Sequence, residues 1–328
     1  MAVFTPVSDE AARAYLAAYD LGELLSLEGV AEGVENTNFR LETTRGVFAL
    51  TLFEKRVDPD ALPFYLGVME HLAAGGVPAP MPQRMRSGEV IGVLNARAAA
   101  IVQWLPGAWL RAPDLNDQRT AGRMLGELHR AIRDFPMTRP NALGPAEWRE
   151  LIDVCGFRAK GEEAVFLSDI EAEYAQLQSA WPRGLPSGVV HADYFPDNVL
   201  FSNGKITGVI DYYFACTDLF AYDLAIALNA WGFQADGSPD EAALSAFLEG
   251  YEQVRPLSPE ESAALPVLCR GAAVRFSLTR LNDLLYHDPS WLVTPKDPRP
   301  FFRRVAFHRT CRDADSYRQA AERALTGA

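Results

Sequence analysis

The period of the apolar positions changes once along the chain. In residues 25–33, 38–43 and 47–53, β-branched and aromatic residues come in short runs, as they do in strands. Only Thr44, Arg45 and Gly46 separate the second run from the third, which suits a tight hairpin. A helix is expected over residues 60–74, where Leu62, Leu66, Met69 and Leu72 form one apolar stripe and Gly75, Gly76 and Pro78 end it. Two more strands are expected at residues 89–94 and 98–104. Beyond Pro106 and Gly107 the pattern turns to long helices. The first has Asp114 as its N-cap and buries Ala121, Met124, Leu125, Leu128 and Ile132. The expected fold class is α+β in two lobes: a sheet-plus-helix lobe over residues 1–102, a connector over 103–107 and a larger, mostly helical lobe over 108–328. Ligands favour clefts between such lobes.

Composition narrows the partners. The 328 residues carry 31 Lys and Arg against 43 Asp and Glu, a formal charge of −12. Nucleic acid is held by clustered cations that release its counterions, so it is not an expected partner. The same deficit argues against an anionic membrane surface. The most apolar stretch, residues 96–110, is shorter than the ~20 residues of a spanning helix and is broken by Arg97, Gln103 and Pro106. The first residues lack the basic and apolar regions of a secretory leader, so a cytoplasmic enzyme is expected. Cys155, Cys216, Cys269 and Cys311 form neither a CxxC pair nor a zinc spacing and are read as reduced, buried thiols.

One segment carries chemistry. Residues 188–201 read GVVHADYFPDNVLF, and two short apolar runs then flank Asn203-Gly204, a strong signal for a two-residue hairpin turn. With those turn residues, Asn198 faces Val209, and Asp211 lies on the same face, diagonal to Asn198 at roughly 7–8 Å. An amide oxygen and a carboxylate so placed are hard ligands that suit Mg²⁺ completed by water and phosphate oxygens. Asp193 precedes Asn198 by the H-x-D-x-x-x-x-N spacing of kinase catalytic loops, in which the Asp takes the proton of the attacking hydroxyl. Phosphoryl transfer asks a protein mainly for positioning and for neutralising charge, so one base and two metal ligands are near the minimum set. Taken singly, the three side chains also read as a turn Asp, a strand-edge cap and an Asx turn. Together they favour phosphotransfer. His191 is expected to shape the loop through backbone bonds, whereas His71, His129, His287 and His308 show no metal spacing and are read as core or surface residues. Between His191 and Asp223 stand five Asp and one Lys, with no Arg or Glu, so a third of the net charge falls in a tenth of the chain.

These residues resemble the kinase-like small-molecule phosphotransferases, a family that includes aminoglycoside phosphotransferases, choline kinases and bacterial homoserine kinases. The resemblance is nearest to the homoserine kinases. It rests on residues 188–201, on VIDYYFACTDLFAYDLAIALNAW at 209–231 and on RGAAVRFSLTRLND at 270–283, with weaker similarity through residue 107. It implies a bilobal protein-kinase-like fold, ATP as co-substrate, Mg²⁺ as cofactor and phosphorylation of the side-chain hydroxyl of L-homoserine, with no obligate protein partner. By position, Asp193 matches the base, Asn198 and Asp211 the metal ligands, and Asp223 the residue that supports the catalytic loop along with His191. The nucleotide would lie under the turn at residues 35–38, with Asn36, Thr37 and Asn38, and its adenine against Gln103, Trp104 and Leu105. Thr51 stands where such kinases carry a strand Lys, and Lys55 is the preferred substitute. An acceptor α-carboxylate calls for Arg. Arg275 and Arg280 are therefore expected as its ligands, with Tyr212, Tyr213 and Asn229 shaping the pocket. The alternatives are a kinase of the same fold acting on choline, an aminoglycoside or a thio-sugar, and a nucleotide-binding pseudoenzyme. Choline would need an aromatic cage and an aminoglycoside an acidic acceptor lobe.

Overall fold

The computed structural model describes residues 5–30, 36–54, 58–288 and 294–318. Helix α1 (Asp9–Leu16) starts at Ser8, whose side chain accepts from the Ala11 N–H, and buries Ala12, Tyr15 and Leu16 against a sheet. The sheet is antiparallel and has five strands, β1 (Leu24–Gly29), β2 (Thr37–Thr43), β3 (Gly46–Leu52), β4 (Gly92–Leu94) and β5 (Arg97–Gln103), in the spatial order β1-β2-β3-β5-β4. Side chains alternate across it. Phe48, Leu50 and Leu52 of β3 pack with α1, while Ala49 and the following Phe53 join a second core with α2 (Leu62–Ala74). All four residues of the stripe expected on α2 are buried. Strand β4 starts later than its sequence suggests because Glu89 closes a turn, its carbonyl accepting from the Met85 N–H.

The remaining chain is mostly helical: α3 (Leu115–Ala131), α4 (Trp148–Gly156), α5 (Glu162–Ala180), then two-stranded pairs of β6 (Ser187–Val190) with β9 (Cys216–Leu219) and of β7 (Val199–Ser202) with β8 (Lys205–Val209), and α6 (Phe220–Trp231), α7 (Glu241–Glu252), α8 (Pro259–Leu285) and α9 (Arg299–His308). Asp114 caps α3 in a capping box with Asp117. Among the described residues no helix is long and apolar enough to cross a membrane.

Two glycines let α3 and α7 touch backbone to backbone. A Cβ on Gly122 would stand 1.9 Å from the Phe247 carbonyl oxygen, and one on Gly250 1.9 Å from that of Arg119. This close crossing carries His129 of α3 to Tyr251 of α7, 2.8 Å apart.

The β7–β8 hairpin corrects one expectation. Ser202 pairs with Lys205 and Phe201 with Ile206, as an Asn203-Gly204 turn requires, but Leu200 pairs with Gly208 and Val199 with Val209. Thr207 is the extra residue of a bulge, and beyond it the register shifts by one. Asn198 therefore does not face Val209. It ends a single 3₁₀ turn, Pro196–Asn198, and its carbonyl accepts from the Ile210 N–H at 3.0 Å. The bulge has a local cause. Thr207 donates its hydroxyl to the Pro106 carbonyl, and Ala108 exchanges two backbone hydrogen bonds with Phe201, so residues 106–108 are stitched to this hairpin. Gly107, at φ +111°, leaves no room there for a side chain: a Cβ would meet the Phe201 oxygen at 2.7 Å.

The Gly122→Ala protein should lose about 3 kcal/mol or more of stability, because backbone cannot retreat as a side chain can. Urea unfolding checks this, and a midpoint equal to that of the unaltered protein contradicts the crossing.

Candidate active site

The loop from His191 to Asn198 leaves β6 and is held at almost every backbone polar group. Asp223, in the first turn of α6, has no exposed surface. Its Oδ1 accepts from the Ala192 N–H at 2.8 Å and its Oδ2 from the His191 N–H at 3.0 Å. Ala192 is left-handed, at φ +60°, which costs a non-glycine residue roughly 1–2 kcal/mol. The conformation persists because the Ala192 peptide is gripped on both sides, Arg275 donating to its carbonyl at 2.8 Å. Trp231 Nε1 donates to the Tyr194 carbonyl at 2.9 Å.

His191 ties this loop to the metal-ligand candidates. Its Nδ1 accepts from the Asp193 N–H at 3.2 Å, which leaves Nε2 as the donor to the Ile210 carbonyl at 3.0 Å. Burial pushes its pKa down and keeps the ring neutral. Ile210 is thus bonded through its carbonyl to His191 and through its N–H to Asn198, and the backbone of one residue fixes the catalytic loop, Asn198 and the approach to Asp211 together. Asp211 follows in the left-handed conformation, φ 65° and ψ 63°, as the chain leaves β8. The bulge and this left-handed residue replace the flat two-strand geometry by which the sequence placed Asp211 beside Asn198.

Asp193 and Asn198 meet directly. The Asn198 Nδ2 donates to the Asp193 backbone carbonyl at 2.8 Å and to Asp193 Oδ2 at 3.1 Å. Both amide hydrogens are spent there, so Oδ1 of Asn198 is left as an acceptor, the right end of the amide for a metal. Burial pushes the Asp193 carboxyl up to about 6, against the pull of the Arg275 charge. Its Oδ1 has no hydrogen-bond partner among the described residues. An amide oxygen and a carboxylate fit a hard divalent cation.

The support extends to a residue the sequence left among plain core positions. His129 Nε2 lies 2.9 Å from Asp223 Oδ2, and its Nδ1 accepts from the Tyr251 hydroxyl. Arg255 donates to that hydroxyl at 3.0 Å and pairs with Glu261 at 2.7 Å. Burial pushes the His129 pKa down, so the ring is neutral and donates to Asp223. For Asp223, burial alone would raise its pKa, but the hydrogen bonds from His129 and the His191 backbone outweigh it and hold the carboxylate ionised. One signal was available: His129 falls four residues after Leu125 on a buried apolar stripe, where a polar side chain needs a partner.

Several expected ligands are placed elsewhere. Arg275 is 2 % exposed and donates to the Ala192 carbonyl, which places it within the support of the catalytic loop. Asn229 has no exposed surface; its amide donates to Ala225 and Cys269 carbonyls and its Oδ1 meets His308, which makes it a joint between α6, α8 and α9. Tyr212 is fully buried with its ring 4.8 Å from that of His191, and so packs under the loop instead of shaping a pocket. Tyr213 sets its ring edge against Phe53 and Tyr65, on the side of the five-stranded sheet. Arg280, by contrast, lines a cavity of about 400 Å³, together with Phe195, Lys296, Phe301 and Arg304.

On the sheet side, the polar turn residues knit strands together. Asn36 Oδ1 accepts from the Glu54 N–H, Thr37 donates to Glu54, and Thr51 donates to Asn38 Oδ1 at 2.8 Å. Gln103 is exposed, Trp104 keeps 36 % of its surface exposed at the end of β5, and Leu105 packs against Gly208. Lys55 and Glu35 lie outside the described residues.

A carboxylate paired with an amide, a strand-end carboxylate and a clamped loop are the arrangement that phosphoryl transfer asks for. A family model described as the phosphotransferase enzyme family matches residues 26–257, and the chain belongs to that family. Its relatives are narrower in kind. It is 52 % identical to a homoserine kinase of Methylobacterium radiotolerans over 97 % of this chain and 99 % of that one. It is 49 % identical to a homoserine kinase of a Chelativorans species over 97 % and 98 %. Among solved structures, an amicoumacin kinase in complex with AMP-PNP and Ca²⁺ shares the fold with a TM-score of 0.67 at 15 % identity, over 93 % of this chain and 92 % of that one.

Arg275→Met should lower kcat about 100-fold, the order of effect that an ångström of misplacement produces, while KM for the phosphoryl acceptor stays nearly unchanged. Steady-state kinetics over both substrates decide it. A rise in acceptor KM at constant kcat would return Arg275 to the list of ligands.

Proposed function

We propose that this chain transfers the γ-phosphoryl group of ATP to the side-chain hydroxyl of L-homoserine, giving O-phospho-L-homoserine and ADP. The observation that carries the acceptor is identity near one half to homoserine kinases over nearly the full length of both chains. The geometry of residues 191–198 carries the reaction type.

In this reading the homoserine oxygen attacks the γ-phosphorus, a new P–O bond forms, and the bond to the ADP oxygen breaks. The hydroxyl proton passes to Asp193 Oδ1, the carboxylate oxygen without a partner among the described residues. Asn198 holds the other oxygen of Asp193 and so aims the base. Its own Oδ1, with a carboxylate oxygen of Asp211, would hold Mg²⁺, which neutralises charge on the phosphate oxygens. Ile210 keeps those two ligands in step with the loop. Residues 1–102 serve as the nucleotide lobe, residues 103–107 as the hinge and residues 108–328 as the lobe that carries the base and the acceptor. Asn36, Thr37 and Asn38 shape the strand turn above the phosphates, and the exposed Trp104, between Gln103 and Leu105, offers an apolar face to adenine. Lys55 takes the place of the strand Lys, since Thr51 is committed to Asn38. The reading is that of a cytoplasmic enzyme with small-molecule partners alone.

Release of ADP, measured with L-homoserine, choline, a thio-sugar and kanamycin in turn, tests the substrate. Turnover with homoserine should exceed that with every other acceptor, and Asp193→Asn should remove at least about a thousandfold of it with the thermal midpoint unchanged. A preference for another acceptor overturns the assignment, and no turnover with any acceptor favours a nucleotide-binding pseudoenzyme. Asp211→Ala should also weaken nucleotide binding in the presence of Mg²⁺ while leaving metal-free binding alone.

A further inference from the structure

The cavity of about 400 Å³ next to the catalytic loop is walled on one side by α8 and on the other by α9. Two guanidinium groups share one aromatic ring in its wall. The Arg280 carbon lies 4.2 Å from the Phe301 ring centroid and the Arg304 carbon 3.5 Å from it. Neither Arg forms an ion pair among the described residues, whereas the buried Arg255 and the partly buried Arg270 are neutralised by Glu261 and Glu173. Arg304 is only 6 % exposed; one Nη donates to the Asn229 carbonyl and its Nε has no partner. Arg280 makes no hydrogen bond among the described residues, and its guanidinium lies over the Phe301 ring.

Burial first, and then the like charge of Arg280, lower the Arg304 pKa to about 9. The charges of Asp193, Asp197, Asp297 and Asp283 act on Arg280, but Arg304 feels only burial and the like charge of Arg280, a costly arrangement unless an anion comes to it. The cavity adjoins the base. Phe195, two residues beyond Asp193, is part of its lining, and the charges of Asp193 and Lys296 act on each other. Asp297, which also lines it, supplies a carboxylate of the kind an ammonium group requires.

We infer that Arg280 and Arg304, set against Phe301, form the subsite for the α-carboxylate of an amino-acid acceptor and give this enzyme its discrimination against amino alcohols that lack that group. The inference rests on the proposed homoserine reading. Arg304 is a residue whose pattern in the sequence suggested nothing, since it sits among other Arg residues after Pro300. A planar fork with unused donors suits a carboxylate, and a site built around a polar group rejects analogues that lack it because its own groups are then left unpaired.

The test compares L-homoserine with 3-amino-1-propanol, which is homoserine without its carboxylate, using the full chain with ATP and Mg²⁺. Arg304→Gln and Arg280→Gln should each raise KM for homoserine by about 30- to 100-fold, the loss of a charged hydrogen bond, with kcat little changed. Turnover of 3-amino-1-propanol and affinity for AMP-PNP should stay as they are, and Arg304→Lys should recover part of the loss. An unchanged ratio of kcat/KM between the two acceptors overturns the inference. An equal loss for both, or a loss of AMP-PNP affinity, also overturns it and assigns the pair to the phosphates or to stability. If Arg304→Gln does not fold, Arg280→Gln alone decides. If the unaltered protein does not turn over homoserine, the functional reading fails, and calorimetry separates the two ideas. The AMP-PNP complex should bind L-2-aminobutyrate well above propylamine, and Arg280→Gln should abolish that difference; equal binding of the two ligands defeats the subsite as well.

Discussion

A carboxylate shut away from water, Asp223, decides where the catalytic loop lies. Charge without solvent is stable only when donors surround it, and Asp223 has the His191 and Ala192 N–H groups and His129 Nε2. Those bonds hold Ala192 in a left-handed conformation and so turn Asp193 out of the line of β6. They also recruit a larger frame. His129 reaches Asp223 because Gly122 and Gly250 let α3 and α7 close on each other, and Tyr251, Arg255 and Glu261 continue the chain of bonds to the start of α8. Removing one donor would leave a buried charge short of partners, so the loop and the helices behind it stand or fall together.

A second residue, Ile210, transmits that order to the metal-ligand candidates. Ile210 gives its N–H to Asn198 and its carbonyl to His191, and the bulge at Thr207 brings it to the right place by anchoring the hairpin to the connector at Pro106. Charge is distributed to match. Acidic side chains gather along the β7–β8 hairpin and its flanks, where a divalent cation and the phosphates would neutralise one another. Arg280, Lys296 and Arg304 gather on α8, α9 and the segment before α9, where an acceptor would arrive. A chain of net charge −12 thus sets three cations around one small cavity.

Much of this was legible in one dimension. The strands of the first hundred residues, the Asp114 cap and the stripe on α2 follow from alternation, periodicity and capping, which are local. The grouping of His191, Asp193, Asn198 and Asp223 was also legible, because the first three lie within one loop of each other. The register between β7 and β8 was not. Thr207 looks like any strand residue until Pro106, a hundred positions earlier, takes its hydroxyl. Arg275 and Arg280 look alike on one helix, yet their side chains end in different surroundings. The first is swallowed beneath Ala192, and the second opens into the cavity.

The sequence by itself determined the elements, their order and the chemical kinds of residue at the site, because propensity, spacing and turn chemistry act over a few residues. The tertiary structure alone decided which polar side chains serve the fold and which meet a ligand. His129, Asn229 and Arg275 are polar enough to be ligands, but each is buried against backbone or side-chain groups far away in the chain. Arg304 is anonymous in sequence and gains its meaning from Phe301 and Arg280. The physical reason is the same in each case. A donor's role is set by whether its partner is already inside the protein, and that is known only once distant segments have packed.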